Sequence, residues 1–224
     1  GERFPFHKDD LKYHHIKPKN KENSAAVIFF LMDVSGSMSQ DRKYLARSFF
    51  FLLYQFLNHR YERVEVVFIS HSTVAERVSE DDFFKVGTYG GTIISSALNK
   101  QIEIVDKEYH PNAWNIYTFY CGDGENWSSD NEKSLDLFKQ IKDLSQLTAY
   151  CEINEHYGNF AEEGKEEIAP SGYPWPSFSA WKNEELENLW SKLTPICDNK
   201  FKKVMVGHTD HIWKAFKQLF GGEK

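Results

Sequence analysis

Residues 25–32 read AAVIFFLM, an unbroken apolar run that ends at a polar, glycine-containing turn. A run without alternation predicts a strand buried on both faces, as in a mainly parallel sheet. Residues 42–58 predict a helix by their length and lack of Gly and Pro, yet the segment is apolar nearly all round, so both its sides need cover. EVVFIS at 65–70 predicts a second strand, and the alternating VAERV at 74–78 predicts a short antiparallel edge strand returning from it. Behind the turn-rich stretch 87–91, residues 92–108 place apolar side chains at helical spacing after Thr92, which can cap them. WNIYTFY at 114–120 predicts a buried strand broken by CGDGEN, followed by a helix over 134–144 and a strand over 147–153. A helix at 184–193, a strand at 203–206 and a closing helix at 209–220 complete the pattern, the last capped by Thr209 with Asp210 in its first turn. This alternation predicts a doubly wound α/β fold: a mainly parallel six-stranded sheet with one short antiparallel edge strand and helices on both faces.

Composition narrows this picture. A chain of 224 residues, 41% hydrophobic, suits one large domain over 25–224, with the polar stretch 1–24 as an arm or linker of a larger protein. Residues 158–180, rich in Gly, Pro and Glu and without periodicity, are expected to form a surface insertion. A formal charge of −6 with no dense Lys/Arg stripe argues against nucleic acid or an anionic membrane as partner. The longest apolar run, around 49–57, falls short of the roughly 18 residues of a membrane span, and the first residues show no signal-peptide pattern. Cys121, Cys151 and Cys197 are sparse and far apart, which fits a reducing, cytoplasmic compartment.

The candidate chemistry lies at the carboxyl ends of the strands, where open α/β sheets bind ligands. Asp33-Val34-Ser35-Gly36-Ser37 follows the first strand, Gly90-Gly91-Thr92 precedes the second helix, and Asp123-Gly124 follows the strand ending at Tyr120. Three hydroxyls and two carboxylates are oxygen donors suited to a hard divalent cation. Alternation points Asp33, Ser35 and Ser37 to one side, while Gly36 lets the backbone bend.

In this order the three segments resemble the metal-ion-dependent adhesion site (MIDAS) of von Willebrand factor A domains. The resemblance implies Ser35 and Ser37 as direct ligands of Mg²⁺ (or Mn²⁺ or Ca²⁺), Thr92 as a direct or water-mediated ligand, and Asp33 and Asp123 acting largely through water. It also implies an open position that a partner's acidic side chain fills. The strings DVSGSM, VVFISHSTVAERV, DDFFKV, GGTIISSAL, WNIYTFYCGDGENW and WKAFKQLF are similar to the YeaH/YhbH family of stress-response and sporulation proteins. The similarity runs from about Leu11 to the end and corresponds to that family's carboxyl-terminal part. Members are typically encoded beside a PrkA-type serine protein kinase and a SpoVR-type protein, which makes those candidate partners. The family usually has Asp where this chain has Glu125.

The expected function is thus a non-catalytic, metal-dependent protein-protein interaction module. The alternative is a metal-dependent phosphohydrolase using Asp33 as nucleophile, but such sites need a second Asp two residues on, and that position is Ser35. His71, His156 and His208 each follow a strand and are expected to be scattered along the rim rather than to form a nitrogen-rich metal site. Cys121 is expected to be a buried strand residue rather than a reactive thiol. Glu125 and Asp130 add negative charge near the candidate site, where they either select a basic or phosphorylated partner or form a solvated acidic loop. The apolar excess over 49–57 is expected to be covered by the Trp-rich insertion or by an amino-terminal region, with Phe178, Trp181 and Trp190 as candidate contacts.

Overall fold

A computed structural model describes residues 25–85, 87, 90–154 and 189–221. The strands are β1 (Ala25–Asp33), β2 (Arg63–His71), β3 (Ala75–Val78), β4 (Asn115–Gly122), β5 (Leu147–Ile153) and β6 (Phe201–Val206). The helices are α1 (Gln40–Arg60), α2 (Glu80–Phe83), α3 (Ile94–Glu108), α4 (Asn131–Leu144), α5 (Leu189–Leu193) and α6 (Thr209–Phe220). The six strands form one sheet in the order β3-β2-β1-β4-β5-β6. All neighbours run parallel except β3, which returns antiparallel along the far end of β2, pairing Phe68 with Val78 and His71 with Ala75.

β1 is buried on both faces because its alternate side chains feed two separate cores. Ala26, Ile28, Phe30 and Met32 face α1 and α6, with Phe30 stacked on Phe50 of α1 at 4.2 Å between ring centroids. Val27, Phe29 and Leu31 face the opposite layer with α3 and α4. There Phe138 of α4 meets Tyr120, Tyr150 and Phe201 edge-on at 6.1, 6.0 and 5.5 Å. The mid-chain apolar runs are therefore explained by two-sided burial.

Part of the α1 stripe is covered by α6, and Trp190 is not among its contacts. Phe56 packs on Phe216 and Phe220 of α6 at 5.2 and 4.4 Å. Trp190 lies on the other face of the sheet, against Tyr150 at 5.9 Å and under the Lys203 ammonium at 4.3 Å. The closing helix covers the Phe56 side of the stripe, while Phe51 remains exposed. Phe178, Trp181 and the insertion itself lie outside the described residues.

Two caps also differ from expectation. His208, not Thr209, is the N-cap of α6, its ring accepting from the Asp210 N–H at 3.4 Å. α3 begins at Ile94, and Thr92 caps nothing. The short helix α2 was not expected, and the other shifts are at element ends: α1 runs further at both ends, β4 continues through Cys121 and Gly122, and α4 starts at Asn131 behind a 3-10 turn, Ser128–Asp130. Cys121 lies beside Cys151 on the adjacent strand, both buried on the α1 face, and burial raises the Cys121 thiol well above its ordinary range, as expected of an inert core residue. No described helix is long and apolar enough to cross a membrane.

Phe138→Ala should cost about 3–5 kcal/mol of folding stability, because a fully buried ring in contact with three aromatic neighbours leaves a cavity that the sheet cannot close. Urea denaturation against wild type checks this.

Candidate metal centre

The three loops meet at the carboxyl edge of the sheet between β1 and β4, where the winding reverses from one half to the other. Asp33 is the last residue of β1 and is completely buried, with its backbone neighbour across the ladder being His71. Its two carboxylate oxygens tie the first two loops together. Oδ1 accepts the Ser35 N–H at 2.7 Å, and Oδ2 accepts the Thr92 hydroxyl at 3.2 Å.

The contacts then pass from donor to donor. Ser35 Oγ stands 3.1 Å from Ser37 Oγ, and the Ser37 hydroxyl in turn meets the Glu125 carboxylate. Asp123 accepts the Glu125 N–H on Oδ1 at 3.1 Å and the Arg42 guanidinium on Oδ2 at 3.1 Å. The same Arg42 nitrogen donates to the Ser37 carbonyl at 3.0 Å. All five predicted residues, Asp33, Ser35, Ser37, Thr92 and Asp123, are thus brought together through a continuous set of hydrogen bonds.

Local sequence explains how the loops reach this arrangement. Val34 packs into the α1 core, which turns its neighbours Asp33 and Ser35 the other way. Gly91 lies against the Trp127 indole so closely that a Cβ there would stand 2.3 Å from Nε1. Gly124 adopts φ +88°, the left-handed region that favours glycine, directly after Asp123.

Thr92 is released for the centre because the third loop caps α3. Asn126 Oδ1 accepts the Ile94 N–H and Asp130 Oδ2 accepts the Ser95 N–H, each at 3.0 Å. Asp130 also accepts the Ser134 hydroxyl at 2.8 Å. It is a buried capping residue, which corrects its expected place in a solvated loop. Glu125 is exposed, as a solvated loop requires, and the partial desolvation of its carboxyl, with the charge of Asp123, raises it above the usual range.

Burial, and then the charge of Asp123, push the Asp33 carboxyl up to about 6. Two residues overlooked in the sequence, Arg42 and Lys43, bring positive charge to these acids from the first turn of α1. Arg42 binds Asp123 directly, while the Lys43 ammonium is lowered by burial and opposed in this by Asp33. A signal for them existed: cations are disfavoured in the first turn of a helix unless an anion is near.

The donor set fits a hard divalent ion. Two adjacent ligands of an octahedral Mg²⁺ at about 2.0–2.1 Å stand about 2.9 Å apart, and the two serine hydroxyls are at 3.1 Å. Among the described residues no three His, Cys, Asp or Glu side chains converge at metal-ligand spacing, so the hydroxyls are needed to complete a shell. His71 is buried at the end of β2 and held neutral, its imidazole pushed down to about 4 by burial, while exposed His208 lies beyond β6 at the far side of the sheet. His156 lies outside the described residues.

The family model that matches residues 1–223 is described as "Protein of unknown function (DUF444)". A UPF0229 protein of Clostridium perfringens is 41% identical over 221 residues, covering 99% of this chain and 50% of the relative. One from Ruminiclostridium cellulolyticum is 50% identical over 218 residues, covering 97% and 49%. The chain belongs to the UPF0229 (DUF444, YeaH/YhbH) family. It spans about half the length of these curated relatives. A von Willebrand factor type A structure from Catenulispora acidiphila aligns with TM-score 0.54 at 13% identity, over 87% of this chain and 42% of that one. The pilus adhesin SpaC of Lactobacillus rhamnosus GG aligns with TM-score 0.54 at 12% identity, over 87% and 29%. This UPF0229 chain therefore has the von Willebrand factor A fold.

The raised Asp33 carboxyl has a sign that can be tested in chelator. Its folded pKa lies above the unfolded value near 3.8, so its contribution favours the native state below that value and is lost as pH rises toward 6. Asp33→Asn should remove this loss, gaining about 2–3 kcal/mol on wild type at pH 7 relative to pH 4. Denaturant midpoints of both proteins across that range in EDTA provide the measurement.

Proposed function

We propose that this UPF0229 chain is a metal-ion-dependent protein interaction module. Ser35, Ser37 and Thr92 would hold a divalent ion, Mg²⁺ or else Mn²⁺ or Ca²⁺, with Asp33 and Asp123 acting through water. A bound ion supplies a Lewis-acidic position for an acidic side chain of a partner protein. The observation that carries the proposal is the convergence of hydroxyls and carboxylates from three loops, linked through Asp33 and spaced for adjacent ligands at Ser35 and Ser37.

The chain's own groups support binding rather than attack. Both Asp33 oxygens are occupied by the Ser35 N–H and the Thr92 hydroxyl, and the carboxylate is fully buried. A nucleophile needs a free, presented oxygen and an acid or base beside it, and the residue two positions on is Ser35. Asp33 is better placed to orient hydroxyl donors than to form a covalent intermediate. The PrkA-type kinase and SpoVR-type protein that typically accompany the YeaH/YhbH family are the first partners to test, within a bacterial stress-response or sporulation pathway in the cytoplasm.

Two measurements test the proposal. Mg²⁺ titrated calorimetrically should bind the wild type, and Ser35→Ala and Ser37→Ala should each weaken it tenfold or more. Complex formation with the purified kinase or SpoVR-type protein should be lost in EDTA and in Asp33→Ala; an interaction indifferent to both would sink the module reading. Generic phosphatase substrates should show no turnover with Mg²⁺ or Mn²⁺ that Asp33→Asn abolishes.

A further inference from the structure

The face of the sheet that carries Asp33 ends in an unusual layer. His71 on β2, Tyr120 on β4, and Tyr150 and Glu152 on β5 are buried there, and His71 Nε2, both tyrosine hydroxyls and Glu152 Oε2 have no hydrogen-bond partner among the described residues. A buried polar group without a partner is costly, and a carboxylate the most so. Glu152 is only 2% exposed. It pairs in register with Gly122, the residue immediately before Asp123.

The Asp123 turn is built around this carboxyl. A Cβ on Gly124 would stand 2.8 Å from the Glu152 carboxyl carbon and 3.0 Å from Oε2, so the glycine leaves the space the acid occupies. The nearest candidate counter-ion on the strand beyond, Lys203, is engaged elsewhere: its ammonium donates to the Trp190 carbonyl at 2.9 Å and to the Thr194 hydroxyl at 2.6 Å. Burial and the charge of Asp123 act together against Glu152, and the charges of Lys203 and Arg42 offset only part of this, leaving the carboxyl raised to about 7. In the absence of a cation, this acid has an unfavourable position.

We propose that Glu152 is a further carboxylate of the metal centre, reaching the ion through water from beneath the Asp123 turn, a role that rests on the ion site proposed above. Direct ligation is set aside because Asp33, Asp123 and Glu152 do not converge at ligand spacing. An outer carboxylate raises affinity by orienting bound waters and adding charge, and losing such a residue typically weakens a metal about 10–100-fold. The tyrosine hydroxyls in the same layer are suited to hold those waters, which need several polar partners each.

The test compares wild type, Glu152→Gln and Ser35→Ala in the purified protein, by Mg²⁺ calorimetry and by unfolding midpoint in EDTA. Glu152→Gln keeps the volume and removes only the charge. It should weaken Mg²⁺ binding about tenfold or more while its midpoint in EDTA stays at or above that of wild type. Mg²⁺ affinity within twofold of wild type overturns the proposal, and so does a weaker affinity accompanied by a lower midpoint in EDTA, since lost packing would then account for it. Failure of the ion site itself reads differently: wild type would not bind Mg²⁺, or Ser35→Ala would bind it as well as wild type.

Discussion

The arrangement depends on one buried carboxylate. Asp33 has no exposure to solvent, yet both its oxygens are used, one by the loop that follows it and one by Thr92, 59 residues further on. That single group sets the distance between the end of β1 and the start of α3. Its position is possible because β1 is the central strand at the reversal point, flanked by β2 and β4, so the loops on either side can close over it. The neighbouring acid Asp123 makes the position electrostatically unfavourable, and Arg42 offsets only part of that by binding Asp123.

The two faces of the sheet divide the labour. On the α1 face the strand ends remain apolar, with Met32, Val34, Cys121, Cys151 and Ile153 in one core. On the α3 face the apolar rows through Leu31 and Ile69 give way, at the last α3-facing position of β1, β2, β4 and β5, to Asp33, His71, Gly122 and Glu152. Stability is drawn from close-packed rings such as Phe138, Tyr120 and Tyr150 just below this edge. The polar layer sits on a rigid floor, which is what holding several donors in fixed geometry requires.

Much of this was legible in the sequence, for identifiable reasons. An unbroken apolar run marks a two-sided strand, so β1 was read with few errors, and oxygen-rich segments after strands marked where the three loops meet. The cap role given to Thr92 beside its ligand role rests on the local meaning of a hydroxyl before an apolar-periodic segment and does not hold; its contact is to Asp33, and the caps come from Asn126 and Asp130 in a loop more than 30 residues away. Glu152 was invisible because a single acid inside TAYCEI looks like an exposed strand position. Trp190 was misplaced because the face on which a side chain packs is decided by sheet order, which composition does not carry.

The rim charges bear on what such a centre can accept. Asp33, Glu125 and Glu152 each feel the charge of Asp123, opposed by Arg42 and Lys43 at the start of α1 and by Lys203 on β6. If all are ionised, four negative charges meet three positive ones, and the edge keeps a net negative charge. A net negative edge favours a cation over an anion at this position. The two cations of α1, placed against the helix dipole, are explained by the acids they face. Their cost is local to the first turn of α1, whereas without them the acids would repel one another across the whole edge before any ion arrived.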